Sequence, residues 1–242
     1  MPKWIWIGLT GLFTISPVYG QVDLNSILNG VFTKYDRIAR ELQDAICYGD
    51  FYYLETDDKG ETLKIITAKR KIYSKGFHRL KSEYLEMTEN NKLLSKQEIA
   101  RRLRSSRGED RSYLPFEKEF RNQYNFYLLG DETYNGLSVW VIGFNPKRKG
   151  RGYIQGQAKI SKKDSSIIAL SFVPTGLPFV IKDFKITLDY GWFGNYWMPQ
   201  KFLLKMELDV KVLVSLVHKH ITVHEEYYGY TFNNGLLDSF FE

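Results

Sequence analysis

From Phe202 onward the chain alternates. Phe202, Leu204, Met206, Leu208, Val210, Val212, Val214 and Leu216 take the even positions, while Lys201, Lys205, Glu207, Asp209 and Lys211 fall on the odd ones. Side chains two apart on a strand share a face, so this period of two demands a sheet with one buried and one solvated side. The run exceeds an ordinary strand, so it is one long curved strand or two joined by a turn that the sequence hides. After Val217 the apolar parity moves to Ile221 and Val223, which requires a bulge or turn nearby.

Other β signals surround this run. Residues 124–131, 137–145, 153–161 and 167–173 read as four strands of an antiparallel meander, with turns at Asn135-Gly136, in the basic loop 146–152 and at 162–165. Residues 51–56 and 62–73 form a hairpin turning at Asp57-Asp58-Lys59-Gly60. Residues 179–190 read as a strand, and 192–199 as an aromatic-heavy turn. Residues 77–87, with Phe77, Leu80, Tyr84 and Met87, fit either a strand or a short helix.

Two stretches are helical by pattern. Leu24, Ile27, Leu28, Val31, Phe32, Tyr35, Ile38, Leu42 and Ala45 recur at steps of three and four, one apolar stripe on a helix over 23–45, capped by Asp23 or Asn25. At 1.5 Å per residue it is about 34 Å long. Ser95-Lys96-Gln97-Glu98 has capping-box spacing, which predicts a helix from Lys96 to about Ser106 with Gly108 just beyond. It carries Lys96, Arg101, Arg102, Arg104 and Arg107 against Glu98, which reads first as a solvated surface.

Residues 1–20 have the make-up of a signal peptide: Lys3, then an uncharged apolar stretch over 5–15, then Val18-Tyr19-Gly20 at the cleavage positions. Pro17 and the polar residues after Gly20 end the stretch before it could span a bilayer. Cleavage after Gly20 leaves 21–242, which lacks linkers and repeats and reads as one domain, large enough to bury about 70% of its unfolded surface. Its net charge drops from +6 to +5, since Lys3 is the only charge removed. Cys47 is the only cysteine, so no internal disulfide exists, and its neighbours Ile46 and Tyr48 suggest a buried thiol.

The meander also resembles a family. An aromatic strand running into Phe144, Pro146, Lys147 and Lys149, a strand with Gly152 and Gly156, and the aliphatic segment from Ile167 to Phe172 look like the LolA-like superfamily of periplasmic outer-membrane lipoprotein-sorting proteins and their relatives. Tyr196-Trp197-Met198-Pro199 is similar to its W-x-P turn, and YYGYTFNNGL at 227–236 resembles its closing segment. The resemblance spans about 24–236. It implies an α+β fold: a strongly curved, mostly antiparallel sheet forming an incomplete β-barrel, covered on its concave side by the N-terminal helix and a second helical insert. It also implies a cavity for acyl chains between helix and sheet.

Catalytic motifs do not emerge. Gly136-Leu137-Ser138-Val139-Trp140 lacks the second glycine of a nucleophile elbow, and Gly156 falls one residue late for a dinucleotide fingerprint after Gly150-Arg151-Gly152. His218 and His220 share a strand face about 6.7 Å apart, but His224 would lie about 20 Å from His218, so no third metal ligand converges. Adjacent carboxylates Glu225-Glu226 and Asp57-Asp58 point to opposite strand faces and read as exposed polar positions. An acyl site needs no polar motif, because each buried methylene contributes about 0.8 kcal/mol.

The expectation is a non-enzymatic, monomeric periplasmic carrier without cofactor or metal. It would bind acyl chains of a lipoprotein or lipid, with a membrane-bound loading or receiving protein as partner and no nucleic acid. The resemblance and the apolar positions together name the cavity lining as Val31, Phe32, Tyr35, Trp140, Phe144, Phe172, Phe184, Trp197, Phe202 and Leu204. The basic loop of Lys147, Arg148, Lys149 and Arg151 would meet an anionic membrane or a partner. Two rivals are a ligand-free interaction module of the same fold, acting in envelope assembly or signalling, and a small outer-membrane β-barrel.

Overall fold

A computed structural model describes residues 23–76, 79–105, 114–212 and 215–241. The expected leader 1–20, Phe77, the helix end with Arg107 and Gly108, and Val214 lie outside the described residues. In chain order the elements are α1 (Leu24–Glu41), β1 (Asp44–Asp57), β2 (Thr62–Lys75), β3 (Arg79–Glu89), β4 (Lys92–Leu93), α2 (Lys96–Ser105), β5 (Tyr124–Tyr134), β6 (Leu137–Pro146), β7 (Ile154–Ser161), β8 (Ile167–Pro174), β9 (Ile181–Phe193), β10 (Tyr196–Val212) and β11 (Ser215–Phe232).

All strands join one antiparallel sheet ordered β4-β3-β2-β1-β11-β10-β9-β8-β7-β6-β5. The sheet is strongly curved and unclosed, an incomplete barrel covered by the two helices. The central pairing of β1 with β11 joins the two ends of the chain, so the fold is set by a contact across most of the sequence.

The long alternation resolves into two strands. β10 ends at Val212 and β11 begins at Ser215, paired directly across the turn, which accounts for the parity change after Val217. The aromatic stretch expected as a turn at 192–199 is mostly strand. β9 runs to Phe193 and β10 starts at Tyr196, with Trp192 opposite Trp197, so only Gly194 and Asn195 turn. The open alternative at 77–87 is the strand β3.

α1 is shorter than its stripe suggests. Asp23 caps it by accepting the Asn25 N–H at 3.1 Å, but Asp44 and Ala45 belong to β1, not to the helix. The Asp44 carboxylate accepts N–H groups from Asn234 (2.6 Å) and Leu236 (2.9 Å), and its carbonyl accepts that of Asn233 (2.8 Å). Burial works against its charge, and these donors outweigh it, holding its pKa below the ordinary value. Such bonds, with Ala45 paired to Phe232, replace one further helical turn. The capping box of α2 is formed: the Ser95 N–H donates to Glu98 Oε2 at 2.8 Å, and the Glu98 N–H to Ser95 Oγ at 3.3 Å.

Each helix covers one wing of the inner face. Ile27, Leu28 and Val31 of α1 pack on Tyr124, Ile142, Phe144, Ile154, Ala158, Ile160 and Leu170. Ile99 and Leu103 of α2 pack with Ala68, Met87, Phe51, Ile66 and Tyr84 on β1 to β3.

The turn between β7 and β8 pins α1. Lys34 Nζ donates to Asp164 Oδ2 at 3.1 Å, and a Cβ at Gly30 would meet Ser165 Oγ at 2.6 Å, so glycine lets the helix approach. Burial alone would raise the Asp164 pKa. The Ser166 and Ser161 hydroxyls and Lys34 overcome that, bringing it to about 2. A folded-state pKa below the unfolded one stabilises above about pH 4 and loses that contribution as pH falls toward 2. Asp164→Asn is therefore expected to cost about 2 kcal/mol at pH 7. Urea unfolding at pH 7 and near pH 2 should show the gap between variant and parent closing in acid; a gap that stays constant would refute this.

Candidate functional site

Register defines the inner face of the central strands. Cys47, Gly49, Phe51, Tyr53 and Glu55 of β1 line up with Ile72, Arg70, Ala68, Ile66 and Lys64 on β2, and from Gly49 on with Tyr227, Glu225, Val223 and Ile221 on β11. Glu225, Val223 and Ile221 face Phe202, Leu204 and Met206 on β10, which face Leu188, Ile186 and Phe184 on β9. Among the described residues, no side chain of β10 or β11 belongs to either helix-capped cluster. Half-buried Tyr53, Val223, Leu204, Met206, Phe202, Phe184 and Ile186, with buried Ile221, thus form an apolar strip between the two helices.

One end of the strip is polar and buried. Arg70 Nε donates to Glu225 Oε1 at 2.8 Å, Arg70 Nη2 bonds Glu225 Oε2, and the Tyr227 hydroxyl donates to that same oxygen at 2.9 Å. The guanidinium lies over the rings of Phe51 (5.2 Å) and Tyr84 (5.6 Å). Burial disfavours the Arg70 charge, but the Glu225 carboxylate more than reverses this and raises its pKa. Burial, then the charge of Glu225, raises that of Tyr227. A Cβ at Gly49 would lie 2.5 Å from Glu225 Oε1, so glycine there makes room for the carboxylate. Cys47 is buried beside this group, and burial lifts its thiol pKa to about 11.

The expected cavity residues separate into two sets. Val31, Phe32, Tyr35, Trp140, Phe144 and Phe172 lie together in the cluster under α1. Val31 and Phe144 are fully enclosed there, and Phe32 packs between Phe126 (5.7 Å) and the Arg121 guanidinium (4.4 Å). Burial pushes the Tyr35 hydroxyl far above its ordinary pKa. Phe184, Phe202 and Leu204 lie instead on the strip, outside both helix-capped clusters. Trp197 joins neither set; its ring meets Trp192 edge-on at 5.7 Å, near the Gly194-Asn195 turn.

Sequence reasoning missed Met206, Ile186, Ile221, Val223 and Tyr53 as strip residues, although Met206 continues the parity of Phe202 and Leu204. It also read Glu225 as exposed. Glu225 is 3% exposed, because a cation on β2 meets it from the same face, while Glu226 does lie outside. The histidines lie outside too, each by a different carboxylate: His218 by Asp209 (2.5 Å), His220 by Glu207 (3.4 Å) and His224 by Glu226 (3.6 Å). Among the described residues, no group of three or more metal-ligating side chains converges. Of the basic residues on α2, Arg102 is bound to Glu89 on β3.

No family profile and no curated protein matches the chain. Solved structures do. A DUF1329 family protein from Desulfovibrio piger matches at 13% identity and TM-score 0.46, over 90% of this chain and 96% of that one. An outer membrane lipoprotein-sorting protein domain from Vibrio parahaemolyticus matches at 14% and 0.43, over 89% and 97%. A LolA superfamily protein from Nitrosomonas europaea matches at 12% and 0.39, over 90% and 96%. The curved, open sheet itself rests on the chain's own strand pairing.

Proposed function

We propose that this chain is a periplasmic carrier that holds an acyl chain of a lipid or lipoprotein on the strip between α1 and α2, serving sorting toward the outer membrane. The observation that carries the reading is the strip itself: apolar side chains of β9, β10, β11 and β1, on the helix-covered face but packed by neither helix. Such a surface gains about 25 cal/mol for each Å² of apolar area an acyl chain removes from water, and needs no catalytic group. The Arg70 and Glu225 pair closes one end with polar atoms already satisfied, which favours an apolar ligand over a polar one. Export is supported by the leader-like composition of residues 1–20, and among the described residues no helix is long and apolar enough to cross a membrane.

The ligand-free interaction module is the second reading. It is favoured by the six expected cavity residues that pack as core under α1. An outer-membrane barrel fits poorly, since the described sheet has two free edges, whose unpaired backbone groups a bilayer could not satisfy.

Mass spectrometry separates the first two readings. The chain, produced with its own leader and purified without detergent, is expected to carry a lipid adduct that disappears after organic extraction. Phe202→Arg, which places a charge on a half-buried strip position, should reduce that adduct at least about tenfold, the equivalent of 1.4 kcal/mol, without unfolding the chain. A bare parent protein that takes up neither anionic lipid nor acylated peptide would move the assignment to the interaction module. Phe32→Arg would not be informative, because Phe32 belongs to the packed core.

A further inference from the structure

Two neighbouring loops lie at the end of the sheet where β9 begins. The first joins β6 to β7 and presents exposed Lys147, Arg148, Lys149 and Arg151. The second joins β8 to β9 through Gly176, Leu177, Pro178 and Phe179, and Phe179 at 87% is the most exposed large hydrophobic side chain among the described residues. The loops are braced together. Thr175 Oγ1 donates to the Gly150 carbonyl at 2.9 Å and accepts the Gly150 N–H at 3.2 Å. The Thr175 N–H donates to the Tyr153 carbonyl at 2.7 Å, and Gly176, at φ +75°, passes close against Gly150 and Arg151. Arg148 is held upright by the Tyr153 hydroxyl, to which its Nε donates at 2.9 Å.

The charge is one-sided. No Asp or Glu occurs at 133–163 or at 165–182, so neither loop carries a carboxylate of its own. The nearest cation on β9, Lys182, is paired with Asp209 at 3.3 Å, and Arg151 has interactions of its own, so both are left out of the count. A basic surface alone suits any anionic macromolecule. A bulky aromatic side chain standing in water next to it, after a proline and a leucine, adds something that a polyanion in solution does not reward and a lipid interface does.

We propose that this rim docks on an anionic lipid surface, with Phe179 entering the headgroup boundary and Lys147, Arg148 and Lys149 facing lipid phosphates. Each such cation contributes about 1 kcal/mol near a negatively charged leaflet, and the term falls off within a Debye length. The braced geometry presents the apolar tip and the cations together without an ordering cost at contact. Docking by this rim does not depend on what the apolar strip holds.

The test is co-sedimentation of the full chain with vesicles of phosphatidylcholine alone or with one third phosphatidylglycerol. Binding is expected on the phosphatidylglycerol vesicles and should fall as salt is raised from about 0.05 to about 0.5 M. Phe179→Ser, and separately Lys147→Glu with Lys149→Glu, should each cut the bound fraction about tenfold, or 1.4 kcal/mol. Thermal unfolding should stay unchanged, since these side chains are exposed. An environment-sensitive dye on Phe179→Cys reports insertion directly, because the native thiol of Cys47 is buried and poorly ionised; its emission should shift to the blue on phosphatidylglycerol vesicles. Absence of vesicle binding at low salt would overturn the proposal. So would binding that Phe179→Ser leaves intact while the dye stays silent; if polyglutamate then competes as well as lipid, the rim belongs to an acidic protein partner.

Discussion

Arg70→Met alone is expected to destabilise the chain by about 3–5 kcal/mol, and Glu225→Leu alone by a similar amount, while the two together should return close to the parent. Each single change leaves one charge in a site where its partner supplied the compensation. Glu225 is 3% exposed, with Gly49 backbone against it and, among the described residues, Arg70 and Tyr227 donating to its oxygens. Removing Arg70 strands that carboxylate; removing Glu225 strands a guanidinium between Phe51 and Tyr84. The double variant removes both desolvation penalties at once and fills the space with apolar atoms. Urea unfolding monitored by tryptophan fluorescence measures all three proteins. A single variant within about 1 kcal/mol of the parent would show the pair to be solvated, and the strip would then lack a fixed polar end.

This pair shows how far the sequence could be read. In β2 the inner positions run Ile66, Ala68, Arg70, Ile72, and in β11 Ile221, Val223, Glu225, Tyr227. Both strands break apolar parity, one with a cation and one with an anion, yet the breaks are 155 residues apart and nothing local says that β1 brings them together. Local features were legible: the Ser95 capping box, the Asp23 cap and the four meander strands all form. Boundaries that depend on distant partners were not. α1 loses Asp44 and Ala45 because the segment after β11 binds the first and the end of β11 pairs with the second. The junction of β10 and β11 was hidden because the apolar run continues through it to Val217 with no Gly, Pro, Asn or Asp to mark it.

The same distinction applies to the candidate site. Periodicity marks which side chains lie on the inner face, and the expected lining residues of both sets sit on the covered side of the sheet or on α1 facing it. Periodicity is silent on where a helix lands. α1 lands over β5 to β9, where Gly30 lets it approach Ser165 and Lys34 meets Asp164, so the residues beneath it are packed. The residues of β10 and β11, alike in composition and parity, remain outside that cluster.

Phe144→Ala tests that division at the other end of the inner face. Phe144 is fully buried, meets Phe116 at 5.9 Å and Tyr124 at 6.2 Å between ring centres, and sits beneath Val31 in the α1 cluster. Truncating a Phe in a close-packed core costs about 3–5 kcal/mol, the transfer loss plus the cavity left behind. Leu204→Ala on the strip removes a half-buried side chain that belongs, among the described residues, to neither helix-capped cluster, and is expected to cost less than half as much. The two variants should also differ in bound lipid: Phe144→Ala should leave it unchanged once the protein is folded, whereas Leu204→Ala should weaken it. If instead Phe144→Ala is tolerated and alters the lipid, the ligand reaches under α1, and the packing of Phe144 against Phe116 and Tyr124 is a closed state that cargo opens. Measuring stability and lipid content on the same two preparations decides between a filled wing with an open centre and a cavity that spans both.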